Sequence, residues 1–200
     1  DADDMSDESG KAPISFVGKE LLATSHNMNT RQLISNADGT YQEGTGTIGG
    51  WEMSGMRTYL KNEIKPLIPE IVRSRIADVT KAQNAYNTSG NKFTQTTQDN
   101  VYIPTSSEIA PDGLYYKLFA GSISYRIKTK VGEENASIWW TRQVSDRMKF
   151  TIFEKDGMFS SGYPNVSYSV CLGFCLRGPK EITDSWEEIF AAEEDGSYKT

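Results

Sequence analysis

The second half of the chain is divided into short runs of apolar, β-branched and aromatic residues separated by turn residues, and no helical period is sustained through it. The runs are VYIPTSSEI (101–109), ISYRIKTKV (123–131), SIWWTR (137–142), MKFTIFEKDGMFSS (148–161) and SYSVCLGFCL (167–176). Each has the composition of a strand, and 148–161 has the length of two. Lys155-Asp156-Gly157 lies between two strand-like arms, as in a hairpin turn. Pro104 limits the first run to an edge or an end. ISYRIKTKV alternates with period two, which predicts Ile123, Tyr125 and Ile127 on one face and Ser124, Arg126 and Lys128 on the other.

The first half reads differently. KAPISFVGKELLAT (11–24) has strand propensity, and residues 36–50 hold five glycines and read as loop. Met53, Met56, Leu60 and Ile64 then fall on one helical stripe that Pro66 is expected to end. Pro69 fits the first turn of a second helix, PEIVRSRIA, with Ile71, Val72 and Ile76 facing inward. Asn84–Thr97 is rich in Asn, Thr and Gln and reads as an exposed loop. At the far end, Ser185 and Glu188 have capping-box spacing, Trp186, Ile189 and Phe190 share one face, and Gly196 closes the helix. The order is strand, two helices, many short antiparallel strands and an acidic helix, which is α+β.

At 200 residues, one domain is the default. Four tryptophans and 11% aromatics argue against disorder. The formal net charge of −6 is unevenly spread. Residues 1–8 carry −5 and residues 181–200 carry −6, which leaves a body of +5. Without a basic run this is a poor nucleic-acid binder. No run approaches about 18 apolar residues, so no helical membrane span is expected. The start at Asp1, without a signal peptide, is expected of a chain processed or cut from something longer.

Catalytic patterns are scarce. His26 is the only histidine and is expected to be a structural hydrogen-bonder. Cys171 and Cys175 lie four apart, roughly 13 Å along a strand at about 3.3 Å per residue. A disulfide needs Cα atoms within about 7 Å, so the two read as buried small apolar residues, and the redox compartment stays open. One His and two Cys fall short of a zinc site. Gly44, Gly46, Gly49 and Gly50 lack the Lys of a phosphate-binding loop and read as plain loop. Asp1, Asp3, Asp4 and Asp7 form either a solvated acidic loop or a set of calcium ligands that departs from the EF-hand pattern. No other cofactor is expected. IWWTR puts one tryptophan on each face of a strand, one for the core and the other, with Arg142, a candidate stacking platform. SSGYPNVSY (160–168), with Tyr163, Asn165 and Tyr168, is equally an adaptable binding loop or an ordinary turn.

GGWEMSGMRTYL (49–60), DVTK (78–81), TQDNVYIPTSSEI (97–109), YRIK (125–128), IWWTR and LGFCL (172–176), together with DADDMSDESGKAPISF and LLATSHNMN, occur in an order that resembles an uncharacterised domain family of bacterial surface and phage tail or structural proteins. The resemblance covers essentially the whole chain. It implies a C-type-lectin-like fold, related to formylglycine-generating enzymes, with two helices beside short twisted strands. It also implies recognition or assembly rather than a defined reaction. The sequence departs from the family at Thr141-Arg142-Gln143-Val144, where Leu-Arg-Ser-Pro usually follows Trp-Trp. SWEEIFAAEEDGSYKT looks like the start of such a unit rather than its end. The expected organisation is therefore a body, 1–180, lacking its first strands, and a segment, 181–200, that opens the next unit.

The leading expectation is a non-enzymatic, extracellular module at a bacterial surface or on a virion. It would assemble head-to-tail, in tandem or as a fibre, with copies of itself or neighbouring units through Trp186, Ile189 and Phe190. The alternative is an adhesin-type domain that binds a host-surface protein or a glycan through Trp139, Trp140, Arg142, Tyr163, Asn165 and Tyr168. A formylglycine-generating-type enzyme using Cys171 and Cys175 comes third. Neither nucleic-acid binding nor membrane insertion is expected.

Overall fold

A computed structural model describes residues 3–8, 10–12, 14–30, 33–35, 41–43, 46–87, 89–109 and 122–177. Asp1, Gly44 and the whole of 181–200, with Trp186, Ile189 and Phe190, lie outside the described residues. The architecture is α+β, with short antiparallel strands and a few short helical segments. No helix among the described residues is long and apolar enough to cross a membrane.

Three sheets enclose the core. In the first, β1 (Asp4–Met5) and β7 (Lys92–Asp99) flank β6 (Val79–Tyr86). In the second, β12 (Gly173–Leu176) pairs with β2 (Ile14–Val17), β5 (Ile76–Ala77) and β8 (Val101–Tyr102). In the third, β10 (Phe150–Phe153) lies between β9 (Trp139–Val144) and β11 (Phe159–Gly162). A separate hairpin joins β3 (Leu33–Ser35) to β4 (Tyr41–Glu43).

The expected hairpin at Lys155–Gly157 is present, with Gly157 at φ 80° in its turn and Phe153 opposite Phe159. The polar stretch 84–97, read as a loop, is instead most of the β6–β7 hairpin, paired from Val79↔Asp99 to Tyr86↔Lys92. Its inward positions include Lys81, Gln83, Gln95 and Thr97, so polar composition hid a strand pair whose buried side chains bond one another. The Met56–Leu60–Ile64 stripe is buried as expected, but Met53 precedes the helix and is exposed. Helix α1 (Gly55–Tyr59) widens into a π-helical turn over Leu60–Ile64, and Pro66 sits inside a 3₁₀ turn, Lys65–Leu67, rather than ending the run. The second helix, α2, is only Glu70–Arg73. Ile71 is exposed, and Ile76 is buried as part of β5.

The strand IWWTR does place one tryptophan on each face, but both faces are covered. Trp140 joins Trp51, Met56, Leu60, Tyr102 and Phe150 in the larger cluster. Trp139 joins Leu21, Ile109, Phe153 and Cys171 in a second one. Neither ring has any exposed surface. The expected exposed tryptophan is therefore absent, because apolar side chains cover both faces of β9. The cysteines are free and divide between the same two clusters, Cys175 in the larger and Cys171 in the smaller. Only residues 173–176 of the predicted final strand are β.

Candidate interaction surface and the buried charge clusters

Two polar clusters explain most of the sequence segments that stand out. In the first, Gly49 and Gly50 both have positive φ, and a Cβ on Gly50 would lie 2.6 Å from that of Ala85. This tight turn lets Trp51 enter the core. Ser54 caps α1, its Oγ accepting from Arg57 N at 3.1 Å. Arg57 Nε then donates to Asp99 Oδ1 at 2.6 Å, while Trp51 Nε1 and Thr97 Oγ1 donate to Asp99 Oδ2 at 2.9 and 2.7 Å. One buried carboxylate thus ties GGWEMSGMR to TQDN.

The second cluster holds four buried charges, Asp3, Lys81, Glu108 and Arg142. Pairing of β1 with β6 brings Asp3 beside Lys81. Thr105 and Glu108 form a reciprocal cap at α3 (Ser106–Ile109): Thr105 N donates to Glu108 Oε2 at 2.7 Å, and Glu108 N donates to Thr105 Oγ1 at 3.2 Å. That cap fixes the Glu108 carboxylate so that Arg142 grips it with two bonds, at 2.8 and 2.6 Å. Arg142 also donates to Gln83 Oε1 and to the Ile103 carbonyl. Lys81 bridges the halves, ion-paired with Asp3 and 3.3 Å from Glu108.

Burial alone would raise both carboxyls. For Asp3, the Lys81 charge and hydrogen bonds from Lys81, Cys175 and Ser15 reverse this and hold it well below the usual carboxylate range. For Glu108, the Arg142 and Lys81 charges, then the bonds from Arg142 and Thr105, do the same. The quartet is neutral in sum and internally satisfied, which marks a structural cross-tie.

Burial, together with the Asp3 charge, pushes the Cys175 thiol up to about 11. Burial likewise pushes Cys171 up to about 11. Neither thiol is poised as a nucleophile. Among the described residues no three His, Cys, Asp or Glu side chains converge as metal ligands. Of the candidate calcium ligands, Asp3 is committed to Lys81, Asp4 pairs at the surface with Lys11 at 2.5 Å, and Asp7 is exposed. His26 is structural: its carbonyl accepts from Trp140 Nε1 at 2.9 Å and its ring stacks on Tyr59.

The six residues expected to form a ligand site do not share one surface. Trp139, Trp140 and Arg142 are interior. Tyr168 is half-buried, edge-on to Trp140 at 4.8 Å, and its hydroxyl is shifted up by burial and then by the Glu154 charge. Tyr163 and Asn165 are exposed in the turn after β11, with Lys149 Nζ 4.8 Å from the Tyr163 ring centre.

A different surface emerges where alternation predicted a strand. Residues Ile123–Arg126 form a 3₁₀ turn capped by Ser122, whose Oγ accepts from Ser124 N at 3.1 Å. The expected alternation fails over the turn, where Ser124 is exposed beside its neighbours, and the remaining faces are inverted: Ile123, Tyr125 and Ile127 are 40–49% exposed, while Arg126 and Lys128 are buried. Lys128 can enter because its ammonium donates to the carbonyls of Gly18 and Lys19. Arg126 lies over aromatic rings, its Cζ 5.6 Å from the Phe159 centre and 6.0 Å from Phe153. The Arg126 carbonyl accepts from Trp139 Nε1 at 2.9 Å. Its own Nε is buried and has no hydrogen-bond partner among the described residues.

The β10–β11 turn completes this surface. A Cβ on Gly157 would lie 3.0 Å from Ile123 Cγ1 and 3.2 Å from Ile127 Cγ1, so glycine lets the turn close onto the isoleucines. Met158 and Phe159 add 54% and 43% exposed side chains. Register aligns Trp139, Phe153 and Phe159 in one row across the sheet, with ring centres 4.6 and 4.7 Å apart, which runs from the core to this surface. Ile123, Ile127 and the Gly157 turn thus meet near Phe159, whose ring lies over the buried Arg126, and Tyr125 and Met158 are exposed next to them in sequence. Nothing in ISYRIKTKV signalled the inversion except the two cations themselves, which an ordinary half-buried strand would send outward.

The family described as Domain of unknown function (DUF6273) matches residues 21–178. No curated protein and no solved structure matches the chain.

Proposed function

The chain belongs to the DUF6273 family of domains of unknown function, and from that premise we propose that it is a non-enzymatic interaction module that works by protein–protein contact. The observation that carries this reading is the set of exposed apolar side chains on the Ile123–Ile127 and Met158–Phe159 segments, which meet at Gly157, with the Phe159 ring over the buried Arg126. Contiguous apolar surface of this kind is characteristic of contact sites, and aromatic, Met and Arg side chains are enriched at the centres of interfaces. The neutral, satisfied charge quartet and the two protonated thiols support a structural rather than a catalytic role.

The setting we propose is extracellular, as part of a bacterial surface protein or a phage tail or structural protein, in which units join head-to-tail. A C-type-lectin-like arrangement is the finer reading of the α+β fold, supported by short helical segments beside short twisted antiparallel strands. The body would end near residue 180, with 181–200 belonging to the junction with the next unit.

Sedimentation velocity over a concentration series tests the assembly reading. Growth of larger species with concentration is expected, and a strict monomer throughout the range overturns it. The second reading, glycan or receptor binding, is favoured only by Tyr163 and Asn165, which stand exposed in one turn. A glycan array probed with the wild type and Tyr163→Ala separates the two. A binding signal lost in the variant favours the adhesin, and an unchanged or absent signal removes it.

A further inference from the structure

Resting on the assembly reading, we infer that the Ile123/Ile127/Phe159 surface receives the acid-rich segment 181–200 of a second copy of this chain. The surface has an unusual combination of properties. It exposes apolar side chains, and beneath them it buries a guanidinium whose Nε has no partner among the described residues. A buried donor without an acceptor is costly, and one carboxylate satisfies both its charge and its geometry. The adjoining turn brings Glu154, Lys155 and Asp156, but Asp156 Oδ1 accepts from Met158 N at 2.9 Å, which holds that carboxylate within the turn. Arg126 is the cationic centre of the patch.

A complementary ligand must offer apolar side chains on one face with carboxylates beside them. Residues 181–200 have that composition, with seven acids against one base. Trp186, Ile189 and Phe190 fall at i, i+3 and i+4, with Glu187 and Glu188 between them. The −6 segment meets a +5 body, so the segment of one copy is drawn to the body of another and repelled by a second segment. In the docked complex Trp186, Ile189 and Phe190 cover Ile123, Ile127 and Phe159, and a glutamate carboxylate reaches Arg126. The contact pairs apolar anchors with one charged bond.

Two variants of the full chain test this by complementation. Ile127→Glu spoils the receiving surface and leaves the segment intact. The double substitution Trp186→Ala/Phe190→Ala spoils the segment and leaves the surface intact. Each alone is expected to lose at least tenfold in association constant by sedimentation velocity, and an equimolar mixture is expected to recover a discrete dimer that cannot extend. Arg126→Gln is expected to weaken association about tenfold and to flatten its salt dependence, since the charged bond is what salt screens. Circular dichroism confirms folding, and Tyr125→Glu, at an equally exposed position, replaces Ile127→Glu if that variant unfolds. If the wild type assembles but the two variants assemble equally well, or do not complement, this docking mode is wrong while the assembly reading survives. If the wild type is a strict monomer, both are wrong. A monomer in which both variants equally speed proteolysis after residue 180 places the contact within one chain and overturns the inference.

Discussion

Glu108→Gln is the most informative single perturbation of the core. The substitution keeps size and shape but removes the negative charge that Arg142 grips at 2.6 and 2.8 Å and that Lys81 approaches at 3.3 Å. Arg142 retains Gln83 and the Ile103 carbonyl, and Lys81 retains Asp3, so the cations are weakened rather than stripped. A hydrogen bond to a charged group contributes about 1.5–3 kcal/mol. Leaving a buried charge uncompensated costs about 3–5 kcal/mol. Glutamine still accepts one bond, so the expected loss is about 3 kcal/mol, a large share of the roughly 5–15 kcal/mol that stabilises a domain. Urea unfolding followed by tryptophan fluorescence and circular dichroism reads it directly. Arg142→Met alone is expected to cost as much, and the double variant less than the sum, because removing both partners leaves no stranded charge.

The pH dependence follows from the same contacts. The folded-state values of Asp3 and Glu108 lie below their ordinary 3.8 and 4.5. The unfolded chain therefore binds these protons first. Their contribution is fully present above pH 4.5 and is lost as pH falls below it towards the folded-state values. Glu108→Gln should flatten that acid limb by up to one proton. A cost below about 1 kcal/mol, strict additivity with Arg142→Met or an unchanged acid limb would refute the description of the quartet as desolvated and mutually compensated.

Other outcomes follow from individual contacts. Asp99→Asn removes the negative charge and one of the two acceptor oxygens that Trp51, Thr97 and Arg57 share. It should cost about 2–3 kcal/mol and shift the fluorescence of buried Trp51, with thermal and urea melts as the check. Cys171 and Cys175, both buried with thiols at about 11, should resist a thiol reagent at neutral pH until urea unfolds the chain; fast labelling of the native protein would contradict their burial. Gly157→Ala meets a positive φ and Ile123 atoms at 3.0 Å. It should lower stability by about 1–3 kcal/mol and weaken any contact made through the Ile123/Ile127 surface, both measurable on one preparation.

VYIPTSSEI reads as one strand, but only Val101–Tyr102 is β, and Thr105 and Glu108 form a reciprocal cap on α3. The consequence of that cap was not legible either. That the capped glutamate anchors Arg142, 34 residues away, depends on how α3 meets β9. The same holds for Asp99, which closes on Trp51 at a separation of 48 residues. Segments that stand out in sequence, GGWEMSGMR and IWWTR among them, hold these long-range ties, and the site expected around Trp139, Trp140 and Arg142 was interior for that reason.

The amino-acid sequence alone determined the α+β class, the hairpin at Lys155-Asp156-Gly157, the inward stripe of Met56, Leu60 and Ile64, and one tryptophan on each face of 137–142. These depend on period, turn chemistry and local bonding, all of which act over a few residues. The tertiary structure alone decided which side of each strand meets solvent. Alternation gives parity but not sign, and the sign depends on whether another layer covers the face. At β9 both faces are covered, so both tryptophans are buried. At 123–128, carbonyls of Gly18 and Lys19 and the rings of Phe153 and Phe159 accommodate two cations, and Ile123, Tyr125 and Ile127 are turned outward as a consequence.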